Sequence, residues 1–173
     1  MKKKILLLFI PLLLGFNNPI NDDQQIISHF EEILNEYRTS NGLNKVVVDE
    51  SMKKFTDIRS KNIVQDYSHN GFKENIRSYI PNFTIGGENI AILSNIPNNQ
   101  KPYYSSNIKE IGDILNKMAM GTSTNYDVAF YCFLIWKNSK PHNEFLLNEK
   151  IKRFYLSYEK SERHYYFCFI GVD

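Results

Sequence analysis

IWKNSKPHNEFLL, residues 135–147, decides how this chain is read. The run before it, VAFYCFLIW (128–136), offers no polar side chain beyond a tyrosine, a thiol and an indole. Proline disfavours the helical region for the residue ahead of it, here Lys140, so a helix arriving through Trp136 should stop by about Asn138. Pro141 suits the first turn of a new helix, where its missing N–H costs nothing. His142 then falls in that first turn, where the positive end of the helix dipole disfavours imidazolium. The neutral ring that results can accept a hydrogen bond or ligate a metal. The plainer reading is a polar helix–helix corner with a surface histidine.

Outward from this corner the chain divides into helices followed by strands. Toward the N-terminus, Gln24 to Tyr37 places Ile26, Ile27, Phe30, Ile33, Leu34 and Tyr37 on one helical stripe, with His29 at its margin and Gly42 as a stop. Val46 to Val48 is a brief extended piece. Asp49 or Ser51 can cap a second helix whose inward positions are Met52, Phe55, Ile58 or Arg59, and Ile63. DYSHNG (66–71) is turn chemistry, and Lys73 to Ile80 a short helix ended by Pro81. FTIGGENIAIL (83–93) reads as a strand in which Gly86-Gly87 marks a bulge or a close backbone approach, leaving Glu88 at a bend. Residues 94–106 form a polar loop and Asn107 to Met120 a helix. Thr124 and Asp127 have capping-box spacing ahead of the apolar helix. Beyond the corner, KRFYLSY (152–158) and YYFCFI (165–170) make a hairpin, the second strand apolar on both faces and therefore inner. His164 opens that strand. Helices against an antiparallel sheet give an α+β layered fold.

The 173 residues favour a single domain, with 94–121 as an inserted loop and helix. Lys2 to Lys4 and the twelve-residue run Ile5 to Phe16 read as an export signal, too short to span a bilayer, which takes roughly 20 residues. We place the cut between Gly15 and Asp22, so the domain starts near residue 21. The whole chain has 21 Lys and Arg against 19 Asp and Glu; removing the leader leaves 18 against 19. No basic excess remains to draw nucleic acid. About 150 residues bury roughly 70% of the unfolded surface, enough for a core without staples. Cys132 and Cys168 lie in apolar runs and are expected as buried thiols rather than a disulfide.

Four polar residues stand beside apolar runs in loops or at element ends: His69, Glu88, Ser139 and His142. Two imidazoles and a carboxylate could form an open divalent-metal site, with zinc the natural choice, or a general acid–base set. They could equally be separate loop residues, since separations of 19 and 54 residues match no local metal motif. Ser139 and His142 have i, i+3 spacing, but no acid is placed to orient the ring, so a serine nucleophile is disfavoured.

In order the chain carries LNEYRTSNGL (34–43), VDESM (48–52), SHNGF (68–72), GGENIAI (86–92), WKNSKPHNEFLL (136–147) and YYFCFIGV (165–172). This series resembles the bacterial, SCP-like branch of the CAP superfamily: cysteine-rich secretory proteins, antigen 5 and group-one pathogenesis-related proteins. The resemblance covers residues 26–172 and implies a three-layer α-β-α sandwich. It also implies a cavity lined by two histidines and two acids. His69 and His142 match the histidines, and Glu88 the acid of the G-E-N motif. Ser139 falls where other branches carry the second acid, so that carboxylate is missing unless Glu144 reaches inward. Cys168-Phe169 stands where many members have Thr-Gln.

The expectation is a secreted or periplasmic binding module for a lipid-like or small apolar ligand, or for a divalent metal at His69, Glu88 and His142. One alternative is a metal-assisted hydrolase with those three residues as catalytic candidates. The other is a protein-interaction domain in which the cluster is purely structural. No transmembrane anchor is expected in the mature chain.

Overall fold

The computed structural model describes residues 22–94, 109–161 and 164–173; the export signal and most of the 94–106 loop lie outside that range. The elements run α1 (Asp22–Ser40), β1 (Val47–Val48), a 3-10 turn (Glu50–Met52), α2 (Lys53–Gln65), α3 (Phe72–Tyr79), β2 (Gly86–Ser94), α4 (Lys109–Ala119), α5 (Asn125–Lys137), α6 (Lys140–Leu146), β3 (Arg153–Lys160) and β4 (His164–Val172). The strands form one sheet in the order β1-β3-β4-β2, antiparallel except for the short parallel pair β1–β3. With helices on both faces this is the α+β sandwich expected, and β4 is the inner strand that its two apolar faces require.

One layer consists of α1, α5 and α6. Phe30 of α1 sits 5.6 Å from the Trp136 ring, 5.9 Å from Phe154 and 5.6 Å from Phe169, joining α1 and α5 to the two central strands. The α5 start is fixed by the capping box: the Asp127 carboxylate accepts from Thr124 N–H at 2.9 Å, and Thr124 Oγ1 accepts from Asp127 N–H at 3.2 Å. The helix ends at Lys137, and α6 begins with Pro141 in its first turn. The second layer is α2, with α3 joined to it through stacked Phe55 and Phe72.

Two buried polar residues of α1 hold the chain ends of other elements. Asn35 pairs with both backbone groups of Val46, donating to its carbonyl and accepting from its N–H, each at 2.8 Å. Arg38 reaches four carbonyls, those of Asn44, Leu146, Asn148 and Ile151. The first orients the entry to β1. The second ties the α6–β3 connection to α1.

β2 is an edge strand, and its register with β4 is unbroken from Gly86↔Val172 to Ser94↔His164, so the expected bulge is absent. The glycines serve the other purpose foreseen, close approach. A Cβ on Gly87 would lie 2.6 Å from the Phe145 ring of α6, and side chains cannot overlap so far without displacement. We predict that Gly87→Ala costs about 1–3 kcal/mol in chemical denaturation, and that Phe145→Leu in the same chain recovers most of the loss. The free edge of β2 is clasped at Ile90, whose carbonyl accepts from Trp136 Nε1–H at 3.0 Å and from the Tyr67 hydroxyl at 3.3 Å. Trp136→Phe should cost about 1 kcal/mol, read by circular dichroism because Trp136 is the only tryptophan.

Candidate functional site

The candidate residues gather around β2. Strand alternation puts Glu88 on the α2 face of the sheet, in register with Ile170 and beyond it Tyr155. There it meets Arg59, the residue at the middle of the Phe55–Ile63 stripe. Arg59 Nε–H donates to one Glu88 oxygen at 2.7 Å and Nη2–H to the other at 3.1 Å. Both side chains are buried, 2% and 1% exposed. The guanidinium also donates to the Asn70 carbonyl at 2.6 Å and the Ser68 carbonyl at 3.0 Å, so it fixes the 66–71 turn on which His69 stands. Gly71 closes that turn at φ +81°, a left-handed conformation that side chains strain to adopt.

His69 Nδ1 lies 2.9 Å from Glu88 Oε2. With the ring neutral, that contact places the proton on Nδ1 and leaves Nε2 as an acceptor. His69 is 55% exposed, so the carboxylate behind it is shielded while the ring faces outward. The Cys168 thiol, across the ladder from Ile90, donates to Glu88 Oε1 at 3.4 Å. Burial, then the Glu88 charge, pushes that thiol well above its ordinary range, so it stays protonated and donating. Cys132 is likewise a buried free thiol.

His142 approaches from the opposite layer. Asn89, next to Glu88 but pointing to the other face, donates to the His142 carbonyl at 3.2 Å. Burial lowers the His142 pKa, and the nearby His69 lowers it further. The neutral ring anticipated from the helix terminus is therefore produced chiefly by desolvation, and its Nδ1 is buried with no hydrogen-bond partner. A histidine whose folded pKa is lowered binds its proton more readily when unfolded. Its contribution to stability is then complete above about pH 6.5 and is lost as pH falls through and below that value. We predict that the melting temperature drops on acidification from about pH 7.5 to about pH 5, and that His142→Asn flattens this dependence.

Ser139 is the N-cap residue of α6 and makes no side-chain capping bond. Glu144 lies on the exposed side of α6, so it does not reach inward to replace the missing acid. The structure therefore brings His69 and Glu88 into contact and His142 into electrostatic range of His69, with Arg59 as the member that sequence reading left undecided. Arg59 was visible only as a charge at the centre of an apolar stripe.

These residues do not fit a metal held by His69, Glu88 and His142. Both Glu88 oxygens are occupied by a guanidinium, which places a positive charge where the ion's charge would lie. Among the described residues no group of three or more His, Cys, Asp and Glu side chains is placed to hold an ion. The cluster also lines neither of two clefts found elsewhere. One is a groove of about 420 Å³ between α3 and the start of β2, and the other a cleft of about 100 Å³ beside β3. No helix among the described residues is long and apolar enough to cross a membrane.

No protein-family model matches the sequence, and no curated protein matches it in sequence. Solved structures do match in fold. An extracellular protein containing an SCP domain from Bacillus anthracis superposes with a TM-score of 0.53 at 18% identity, over 86% of this chain and 41% of the other. A cysteine-rich secretory protein from Staphylococcus aureus gives 0.54 at 13% identity, over 88% and 40%. An outer surface protein from Borrelia burgdorferi gives 0.56 at 15% identity, over 89% and 97%. The chain thus spans about two-fifths of the length of the first two and nearly all of the third. Its layered α-β-α architecture is the fold of the bacterial SCP-like, or CAP, domain proteins.

Proposed function

We propose that this chain is an extracellular, non-catalytic binding module that takes a small anionic amphiphile. The observation that carries the non-catalytic part is the saturation of Glu88: two bonds to Arg59, one to His69 and one from Cys168 leave this carboxylate no free lone pair in a dry setting. A general base or a ligand needs one. The groove between α3 and β2 supports the choice of ligand. Phe72, Ile76, Phe83 and Ile85 give it an apolar wall, and Lys73 and Arg77, one helical turn apart, add two positive charges. Arg77 is held over the Phe83 ring at 4.6 Å. An acyl chain with an acidic head would match both features. The extracellular setting is supported by the lysine-led apolar leader. The matched structures are themselves described as extracellular, secretory and outer surface proteins.

The test is displacement of a fluorescent fatty acid from the purified protein. Binding should be lost in Ile85→Asp and weakened about tenfold in Arg77→Glu, while His69→Ala leaves it in place. Calorimetry with zinc should show no binding that depends on His69 and His142. Failure to take up any acyl ligand from a membrane preparation would overturn the ligand reading. Ester turnover abolished by His69→Ala would instead favour a hydrolase built on the His69–Glu88 pair.

A further inference from the structure

One wall of the groove between α3 and the start of β2 has no secondary structure of its own. Residues 80–85 connect the helix to the strand, and Phe83, Thr84 and Ile85 of that stretch line the groove. Main-chain groups in such a stretch need partners from elsewhere. Here they come from the far end of the sequence. Asp173, the residue after β4, accepts with its Oδ1 from Thr84 N–H at 2.8 Å and from Ile85 N–H at 3.1 Å. Asp173 N–H in turn donates to the Ile85 carbonyl at 3.0 Å. Arg153 of β3 donates from Nη2–H to the Asn82 carbonyl at 2.9 Å and from Nε–H to the main-chain oxygen of Asp173 at 3.3 Å. Asn82, Thr84 and Ile85 are thus tied to the sheet, while Phe83 between them is tied to α3. The Phe83 carbonyl accepts from Arg77 Nη1–H at 3.3 Å, and its ring lies 4.6 Å from the same guanidinium.

Two successive N–H groups directed at one carboxylate oxygen form a small anion cradle. The bonds from Ile85 and Thr84 hold the Asp173 carboxyl below the usual carboxylate range, so it stays charged near neutral pH. Asp173 does not itself line the groove. It acts there through the main chain of Thr84 and Ile85. Thr84 is exposed, so water can replace the carboxylate when the side chain is removed. The loss then takes the form of local opening of the wall rather than unfolding.

We propose that Asp173 is a positioning residue for the groove. Its carboxylate fixes the apolar wall of Phe83 and Ile85 at the separation from Phe72 and Ile76 that an acyl chain requires, without touching that chain. This role rests on the reading of the groove as the ligand site. It differs from general support of the fold, because the bonds fall on residues that line the groove. The sheet register from Gly86 onward is set separately, by pairing with β4.

The experiment pairs displacement of cis-parinaric acid from the full chain with NMR amide exchange of the ligand-free chain. In Asp173→Ala the Thr84 and Ile85 amides should exchange about tenfold faster, and the affinity for cis-parinaric acid should fall about tenfold. Asp173→Asn keeps an oxygen able to accept from both N–H groups, and should hold its affinity within about threefold of the unaltered chain. Thr124→Ala removes the α5 cap in the other helix layer. It is the control for lost stability and should leave the affinity unchanged. Uptake that Asp173→Ala leaves as tight as before overturns the positioning role alone, as does an equal loss in Thr124→Ala. Unchanged amide exchange in Asp173→Ala overturns the clamp itself. No uptake by the unaltered chain overturns the reading of the groove, and this role with it.

Discussion

Arg59→Met should lower the stability of this protein by about 3–5 kcal/mol, or on the order of 10 °C in melting temperature. The size follows from what is left behind. Glu88 is buried, and without the guanidinium its charge keeps only a bond from an outward-facing imidazole and a weak one from a thiol. The Ser68 and Asn70 carbonyls lose their donors in the same step, so the turn carrying His69 is released as well. Glu88→Gln should be of similar sign but smaller, because an amide can still accept from Arg59 while its own N–H₂ faces that cation. The double change Arg59→Met, Glu88→Leu should cost much less than the two single changes together, since removing both charges also removes the desolvation problem. His69→Ala should cost about 1 kcal/mol or less, because its side chain is largely in water. Urea denaturation of the five variants, the single change Glu88→Leu included, checks the set. Equal, small losses throughout would mean that the ion pair does not hold the turn.

That ranking also explains what could be read from the sequence. Helices α1, α2 and α5 and the β3–β4 hairpin are written in local periodicity and turn chemistry, and a capping box needs only residues 124–127. The contact between His69 and Glu88 depends on bringing together a turn and a strand 19 residues apart. Only the order of the motifs hints at it, because no rule of spacing predicts it. Arg59 stayed ambiguous for a physical reason. An arginine on an apolar stripe normally extends its charge to the surface, and only a buried carboxylate on another element turns it inward. Gly87 was legible as a place of close approach, but not which ring would occupy the space. The direction of the His142 shift was foreseen from the helix terminus, whereas its main cause, burial beneath the opposite layer, is a tertiary property.

Arg38→Lys should be nearly as damaging as Arg38→Met, each costing about 3 kcal/mol or more. Arg38 is 1% exposed and, among the described residues, has no carboxylate partner in its hydrogen bonds. Its charge is instead solvated by four carbonyl dipoles, at 2.9 Å to Asn44, 2.6 Å to Leu146, 3.1 Å to Asn148 and 3.3 Å to Ile151. The cost of burial is visible in a guanidinium pKa held below its usual value. A planar fork with five donors can address carbonyls that lie in different directions, whereas an ammonium on a flexible stem concentrates its three donors at one point. Lysine would therefore satisfy one side of the site and leave the rest unpaired. The consequence reaches beyond α1, because three of these carbonyls belong to the end of α6 and the α6–β3 connection, the segment that follows His142. Loosening it should free the His142 ring from its buried setting. In Arg38→Lys the His142 pKa, followed by NMR, should then move back up toward the ordinary histidine value. A variant that loses stability while His142 keeps its lowered pKa would separate the Arg38 clamp from the site. The carbonyl ties would then be a matter of folding alone.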